Sequence, residues 1–106
     1  MMYSANAFFG GNYAVGYATS DSPLGPFEKS ATNPVLSENA SRGGDVVGTG
    51  HNMVLTLPSG QMYTVYHGRI ASSPEDRVVF IDPIEIDSAG VLTVDGPTTA
   101  PRSITL

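Results

Sequence analysis

Two short segments carry the side chains best suited to chemistry. His51 and Asn52 follow the small-residue run Gly48-Thr49-Gly50, and His67 and Arg69 end a later strand-like segment. The chain has no other histidine. Imidazole and guanidinium groups bind protons, metal ions, hydroxyls and carboxylates. Their position at strand ends predicts a binding or catalytic site rather than a plain sheet.

The small-residue run and the strand after it predict how this site is built. Glycine lacks a Cβ atom, so the run predicts a close approach between this backbone and another group. A strand sends successive side chains to opposite faces. The strand is therefore predicted to separate two sets of side chains, with His51, Met53 and Leu55 on one face and Asn52 and Val54 on the other.

Composition predicts one all-β domain. The 106 residues are 41% hydrophobic and only 14% charged, which is typical of a folded globular chain with a modest core. Twelve glycines and eight prolines favour short strands joined by tight turns, because both residues destabilise helices.

Charge and residue usage exclude several classes of function. The net charge is −5 and the chain has only five lysines and arginines, so nucleic-acid binding is not expected. There is no cysteine for a disulfide or a thiolate metal site. No run approaches the roughly 20 apolar residues of a membrane span, and no signal peptide is recognised, so no membrane partner is expected and the cellular location stays open.

Strand and turn signals divide the chain into two sheet-forming parts. Strands are predicted over 2–6, 13–19, 26–29, 46–57, 62–67, 77–87 and 90–94. The first two should form a hairpin across Gly10-Gly11-Asn12, and the third, which opens with a proline, should lie at a sheet edge. Turns are predicted at 58–60, 72–75 and 88–90. The corresponding division is 1–30, a connection over 31–45, a four-stranded sheet over 46–95, and an extended strap over 96–106.

A weak internal repeat supports a propeller architecture. Met2-Tyr3-Ser4 is echoed by Met62-Tyr63-Thr64, as expected if one small sheet occurs twice. Repeated small antiparallel sheets are typical of β-propeller blades, which bury their faces against one another. The predicted fold is a partial β-propeller of about seven antiparallel strands in two blade-like sheets.

Several segments, in order, resemble glycoside hydrolase family 43, the arabinanases, arabinofuranosidases and β-xylosidases. They are Tyr3-Ser4-Ala5-Asn6, 13–20, 22–27, Gly48-Thr49-Gly50-His51-Asn52, Tyr66-His67, Ile81-Asp82-Pro83-Ile84 and Asp95-Gly96-Pro97-Thr98. The resemblance implies the C-terminal part of a five-bladed propeller, with most of blade 4 in 1–30 and blade 5 in 46–95.

The resemblance also implies a hydrolytic reaction whose catalytic carboxyl groups lie in other parts of the propeller. The family hydrolyses arabinose- or xylose-containing polysaccharides and oligosaccharides with inversion. Two carboxyl groups perform such a reaction, one protonating the leaving oxygen and one activating water roughly 6.5 to 9.5 Å away. The family's Asp base, Asp modulator and Glu acid do not map onto this chain. Asp45 is the remaining catalytic candidate within it.

The resemblance implies ligand roles for three residues, and Asn52 beside His51 is a fourth candidate for the binding site. It implies that His51 lies near a calcium ion or its waters, that Arg69 contacts the sugar, and that Phe9 borders the cleft. Asn52 could orient His51 or bind the backbone. Other interpretations remain open: a backbone hydrogen bond for His51, an ion pair of Arg69 with Glu75 or Asp76, and packing of Phe8 and Phe9 against a neighbouring sheet.

The remaining polar residues are predicted to have structural roles. His67 should close its strand end by bonding a turn. Asn39-Ala40-Ser41 matches a glycosylation acceptor, a pattern short enough to occur by chance. The acidic side chains are expected in solvent: Asp21, Glu28, Asp45, Asp82, Glu85 and Asp87.

Two hypotheses follow from the sequence. In the first, the chain is part of a glycoside hydrolase and is active alone only if it assembles with other copies or uses a carboxylate outside the family pattern, such as Asp45. In the second, it is a non-catalytic carbohydrate-binding or structural half-propeller. Both predict association with another copy or with further blades, because two blades leave apolar faces uncovered.

Overall fold

The protein is all-β. The computed structural model describes residues 1–106, which form seven strands and one short 3-10 helix, Ala40–Arg42. The first sheet contains β1 (Met2–Ala5), β2 (Ala14–Thr19) and β3 (Glu28–Lys29). The second sheet contains β4 (Val46–Thr56), β5 (Met62–Ile70), β6 (Ser73–Ile86) and β7 (Leu92–Val94). The predicted all-β partial propeller of two blade-like sheets is confirmed.

Each sheet is an antiparallel meander in chain order. Gly60 and Gly90 close the β4–β5 and β6–β7 turns at φ 88° and 79°, a conformation that favours glycine. Their N–H groups donate to Leu57 O and Asp87 O, both at 2.9 Å. The turns predicted at 58–60 and 88–90 are therefore confirmed. No helix of the structure is long and apolar enough to cross a lipid bilayer.

The turn predicted at 72–75 is wrong. Strand β5 continues to Ile70, and β6 already begins at Ser73. Ile70 pairs with Ser73 whereas Arg69 pairs with Arg77, so residues 74–76 form a bulge in β6. Proline has no N–H for the ladder, which explains why this segment leaves it at Pro74.

One hydrophobic core joins the two sheets. Val15 of β2 and Leu36 of the connection pack with three residues of the second sheet, Val46, Tyr66 and Phe80. The Tyr66 and Phe80 rings stack with their centroids 5.5 Å apart. Because the core lies between the sheets, burial of apolar surface fixes one sheet against the other.

The prediction that Asp82 lies in solvent is wrong. Its side chain is 0% exposed and accepts hydrogen bonds from Tyr66 Oη at 2.6 Å and Arg102 Nε at 3.0 Å. Burial and the bond to this carboxylate raise the pKa of Tyr66. A buried carboxylate is tolerated only when it is paired and hydrogen-bonded, and these partners satisfy that need.

The C-terminal segment 96–106 has no regular secondary structure and is held at three residues, Pro97, Thr98 and Arg102. The Thr98 N–H donates to Asp82 Oδ2 at 3.2 Å, and Arg102 adds an ion pair with Asp95 at 3.1 Å. At the start of the segment, Asn39 Nδ2 donates to Pro97 O at 3.0 Å while Asn39 Oδ1 accepts from Val46 N at 2.9 Å. The Asn39 amide, the would-be glycosylation acceptor, is thus engaged inside the fold.

Candidate functional site

Two successive bulges shape β4 where it faces β5. Val47 pairs with Arg69, Gly50 with His67 and Met53 with Val65, so β4 advances three residues for every two of β5. The first residue of each bulge has a positive φ, 63° at Gly48 and 54° at His51. The bulges bring His51 next to the end of β5, where His67 and Arg69 lie.

The predicted separation of side chains between the two faces of β4 holds, including at His51. Met53 and Leu55 share a face through their partners Val65 and Tyr63, and Val54 lies opposite Thr64 on the other face. His51 lies in a bulge with a positive φ, yet its ring is 6.1 Å from that of His67 on the Met53 face, while Asn52 bonds Thr64 on the Val54 face. A left-handed conformation costs a non-glycine residue roughly 1 to 2 kcal/mol, and the His51 N–H gains a 2.8 Å hydrogen bond to Ser4 Oγ.

The close approach predicted for the small-residue run is present. A Cβ at Gly50 would overlap the ring of Tyr13, and one at Gly48 would lie 3.6 Å from Gly10 O. Both approaching groups belong to the loop 6–13 between β1 and β2 of the first sheet. The glycines therefore let this loop lie directly on β4, beside His51.

His67 stands at the centre of the resulting cluster. Its ring centroid is 5.8 Å from that of Tyr13 and 6.1 Å from that of His51. Burial lowers the pKa of His67, and the charges of Arg77, His51 and Arg69 lower it further. His67 is thus held neutral more readily than an exposed histidine.

Two nitrogen atoms of the cluster are buried without a hydrogen-bond partner. They are His67 Nδ1 and Arg69 Nε. The prediction that His67 bonds a turn is therefore wrong. A buried unsatisfied polar atom is costly and uncommon in native proteins, so these two mark a place where a ligand atom or an ordered water would be stabilised.

The structure decides two alternatives that the sequence left open, the ion pairing of Arg69 and the packing of Phe8 and Phe9. Arg69 forms no ion pair with Glu75 or Asp76, and its Nη1 donates instead to Phe9 O at 3.4 Å. Phe8 packs against the second sheet, with the Arg77 guanidinium 5.3 Å from its ring centroid. Phe9 stays 71% exposed beside Arg69, which leaves its ring available for contact.

Asn52 and Asp45 have structural partners. Asn52 Nδ2 donates to Thr64 Oγ1 at 3.2 Å and to Met2 Sδ at 3.4 Å, and its side chain forms no hydrogen bond with His51 or with the backbone. Asp45 accepts from the Ser72 N–H at 3.2 Å and from Ser72 Oγ at 3.1 Å, an arrangement that stabilises the β5–β6 turn. No hydrogen bond or ion pair links a carboxylate to His51, His67 or Arg69.

The cluster does not fit a calcium ion by itself. Calcium takes six to eight oxygen ligands, mostly carboxylates and carbonyls. The structure contains no group of three or more His, Asp or Glu side chains that could hold a metal. His51 could supply one contact, so any complete shell would need ligands from elsewhere.

Two residues important to the second sheet escaped the sequence reasoning. Arg102 was assigned no role, and Asp82 was placed in solvent. A signal for Asp82 was available, because the alternation Phe80, Asp82, Ile84 places the carboxylate on the buried face of β6. Arg102 has no local signal, since its pairing with Asp82 depends on the course of the strap.

The fold is a partial β-propeller of two antiparallel sheets joined by one core. Its candidate ligand-binding edge is the cluster of histidines and arginine where the β1–β2 loop meets β4 and β5. The family model for glycosyl hydrolases family 43 matches residues 1–92. The chain belongs to glycosyl hydrolases family 43.

Individual relatives agree with this assignment. A β-D-galactofuranosidase, xynD of Aspergillus niger, is 40% identical in an alignment over 93 residues that covers 84% of this chain and 26% of the relative. A thermostable family-43 glycoside hydrolase superposes with a TM-score of 0.83 at 41% identity, covering 96% of this chain and 33% of that structure. An endo-1,4-beta-xylanase from Bacteroides thetaiotaomicron gives 0.80 at 36% identity, covering 98% and 35%. The chain thus spans between a quarter and about a third of these relatives.

Proposed function

We propose that this chain forms one wall of the sugar-binding cavity of a glycoside hydrolase acting on arabinose- or xylose-containing polysaccharides or oligosaccharides. The observation that carries the proposal is the pair of unpartnered buried nitrogens, His67 Nδ1 and Arg69 Nε. Sugar hydroxyls both donate and accept hydrogen bonds, so they could satisfy a guanidinium donor and an imidazole nitrogen together. Arg69, His51, Asn52 and Phe9 are the proposed ligand-binding residues.

The proposed division of labour leaves hydrolysis to carboxylates outside this chain. Support comes from the cluster, where no carboxylate forms a hydrogen bond or ion pair with His51, His67 or Arg69, and from Asp45, whose two oxygens accept hydrogen bonds from Ser72. General acid and base carboxyl groups on either side of the scissile bond are needed for inversion. Alone, the chain is therefore expected to bind sugar without cleaving it, unless copies assemble.

Hydrolysis is tested with nitrophenyl α-L-arabinofuranoside and β-D-xylopyranoside. A β-D-galactofuranoside belongs in the same panel because one relative is a β-D-galactofuranosidase. The expected result is no release of nitrophenol above an Asp45→Asn control. Turnover that disappears in Asp45→Asn would contradict the division of labour and make Asp45 catalytic.

Binding is tested by calorimetric titration of arabino- and xylo-oligosaccharides. His51→Gly is the informative variant, because glycine accepts φ 54° without strain while the imidazole is lost. Arg69→Gln removes the guanidinium, and Arg42→Gln is the matched control on the exposed 3-10 helix. Binding that is weakened by the first two variants and not by the third supports the cavity wall. Absence of binding to every sugar would refute it.

Calcium remains a separate proposal for His51. One imidazole supplies at most one contact, so calcium binding by this chain alone should be weak. Titration with CaCl₂, followed by the melting temperature of wild type and His51→Gly, tests this. An equal shift in both proteins would remove His51 from the proposed site.

Association with another copy or with further blades is proposed on the exposed apolar face of the second sheet. Met53 of β4 and Val79 of β6 are 58% and 73% exposed on the face that also carries His67. Exposed apolar patches of this kind are typical of interaction surfaces. Light scattering at micromolar concentration should detect oligomers that Val79→Lys weakens, and a monomer at all concentrations would contradict self-association.

A further inference from the structure

The loop 6–13 belongs to the first sheet but is anchored on the second. Within itself the loop is closed by Asn6 Nδ2, which donates to Asn12 O at 2.9 Å, and by Gly10 N, which donates to Ala7 O at 3.0 Å. These bonds preserve the shape of the loop. They do not fix its position relative to β5 and β6, so that position depends on contacts between the sheets.

Two arginines of the second sheet supply such contacts. Arg69 of β5 donates to Phe9 O at 3.4 Å, and the Arg77 guanidinium of β6 lies 5.3 Å from the Phe8 ring centroid. Arg69 and Arg77 are direct cross-strand partners. Two like charges placed opposite each other on a sheet repel, so their retention here needs a compensating interaction. The loop offers one to each arginine, a carbonyl and a ring face.

The two phenylalanines have different surroundings within this arrangement. Their rings meet edge to face, with centroids 5.3 Å apart and planes at 81°. Phe8 contacts Arg77 through the cation–π interaction, whereas Phe9 is 71% exposed. The anchored ring thus supports the exposed one, and a large exposed aromatic side chain beside a ligand cluster is suited to cover an apolar sugar face.

We propose that Arg77 is a positioning residue, which holds Phe8 and thereby presents Phe9 as a stacking surface for a sugar ring beside Arg69. This inference rests on the proposed function, because it assumes that the chain binds an oligosaccharide. Arg69 bonds the loop through Nη1 alone, and its unpartnered Nε is left for the ligand. A second side chain is therefore needed to hold the loop. Arg77 contributes by orientation and does not itself touch the sugar.

The test compares Arg77→Gln, Arg77→Lys and the control Arg42→Gln, which removes the same charge from a side chain that bonds Glu38 O and makes no hydrogen bond to the loop. An exposed cation–π contact corresponds to about a 2- to 5-fold effect, so Arg77→Gln should weaken binding of xylo- or arabino-oligosaccharides by that factor in calorimetry. Arg77→Lys should recover most of the affinity, and Arg42→Gln should not change it. Nitrogen-15 relaxation of the Gly10 and Gly11 amides should show a more mobile loop in Arg77→Gln alone.

Each outcome supports or overturns the inference. Wild-type binding that Arg77→Gln leaves unchanged overturns the positioning role and leaves the proposed function standing. Weaker binding with an unchanged loop, or with no recovery in Arg77→Lys, also overturns it. If wild type binds no sugar, the proposed function fails, and with it the stacking role of Phe9. Circular dichroism melts of all variants establish that the fold is retained.

Discussion

The first and second sheets differ in how much of their stability comes from pairing within the sheet and how much comes from packing against the other sheet. Strands of the first sheet have four, six and two residues, whereas β4, β5 and β6 have eleven, nine and fourteen. In the core, the second sheet provides Val46, Tyr66 and Phe80, whereas β2 provides Val15 and the connection provides Leu36. The first sheet therefore depends on docking against the second, while the second has longer ladders of its own.

The sheets also differ in how they use polar side chains. Beside the first sheet, the Asn33 side-chain amide accepts from Tyr17 N at 2.9 Å and donates to Tyr17 O at 2.8 Å. It thus supplies the two hydrogen bonds that a neighbouring strand would make with Tyr17. In the second sheet, buried Asp82 is compensated by Arg102 and Tyr66. A neutral amide can lose a partner at modest cost, whereas an uncompensated buried charge is far more expensive. The second sheet should therefore respond more sharply to a single substitution.

The largest effect is expected at Asp82. Asp82→Ala leaves the Arg102 guanidinium and the Tyr66 hydroxyl without their shared acceptor, and breaking a partly buried ion pair of this kind costs about 3 to 5 kcal/mol. Urea unfolding followed by circular dichroism measures the loss, with Asp21→Ala as the control. A loss below about 1 kcal/mol would contradict the account of this network.

A smaller effect, confined more to the first sheet, is expected at Leu36. Its side chain is 1% exposed, and Leu36→Ala should cost about 3 kcal/mol through lost burial and the cavity left behind. Amide hydrogen exchange should show greater loss of protection in β2 than in β6. Leu24→Ala, at a side chain 94% exposed, is the control. Equal losses in both strands would instead show that the sheets unfold as one unit.

The contact between the loop and β4 should respond next. Gly50→Ala places a methyl group where the Tyr13 ring lies, and such overpacking typically costs about 1 to 3 kcal/mol. Gly11→Ala is the matched control, because a Cβ there meets no atom within 4 Å. Thermal melts measure both variants. A Gly50→Ala protein as stable as Gly11→Ala would mean that Tyr13 moves aside freely.

The smallest effect is a pH dependence at His67. Because its pKa is lowered in the folded state, the unfolded chain takes up a proton first as the pH falls below about 6.5. The stability contributed by the neutral imidazole is therefore complete above that pH and is lost as the pH falls toward the lowered pKa. Melting temperatures from pH 8 to 5 should decline less steeply in His67→Gln. Parallel curves for the two proteins would rule out this contribution.

Sequence reasoning succeeded where the signal is local. Period-two alternation and the glycines at 60 and 90 define β4 through β7 because side-chain direction and turn conformation depend on near neighbours. The meeting of His51, His67 and Arg69 was also predictable, since two adjacent strands of a meander carry them. The resemblance to family 43 rested on the same segments.

It failed where distant residues decide the outcome. The His51 conformation depends on a loop and a serine almost 50 positions away, Ser4 being 47 residues distant. Alternation alone indicates the buried face for Asp82, but its ion pair with Arg102, 20 residues later, requires the strap to fold back over the sheet. The β5–β6 turn was misplaced because Pro74 marks a bulge here, although proline more often marks a turn.

The bulge at His51 has a genetic consequence. Residues 51 and 52 of β4 face Tyr66 alone, between the pairs Gly50 with His67 and Met53 with Val65. Loss of one codon at position 51 would convert the bulge into regular pairing and leave every other pair of the ladder in place. The same loss at Val54 would displace the end of the strand. His51 therefore lies at a bulge position, where deletion of one residue would leave the pairing of the other strand residues unchanged.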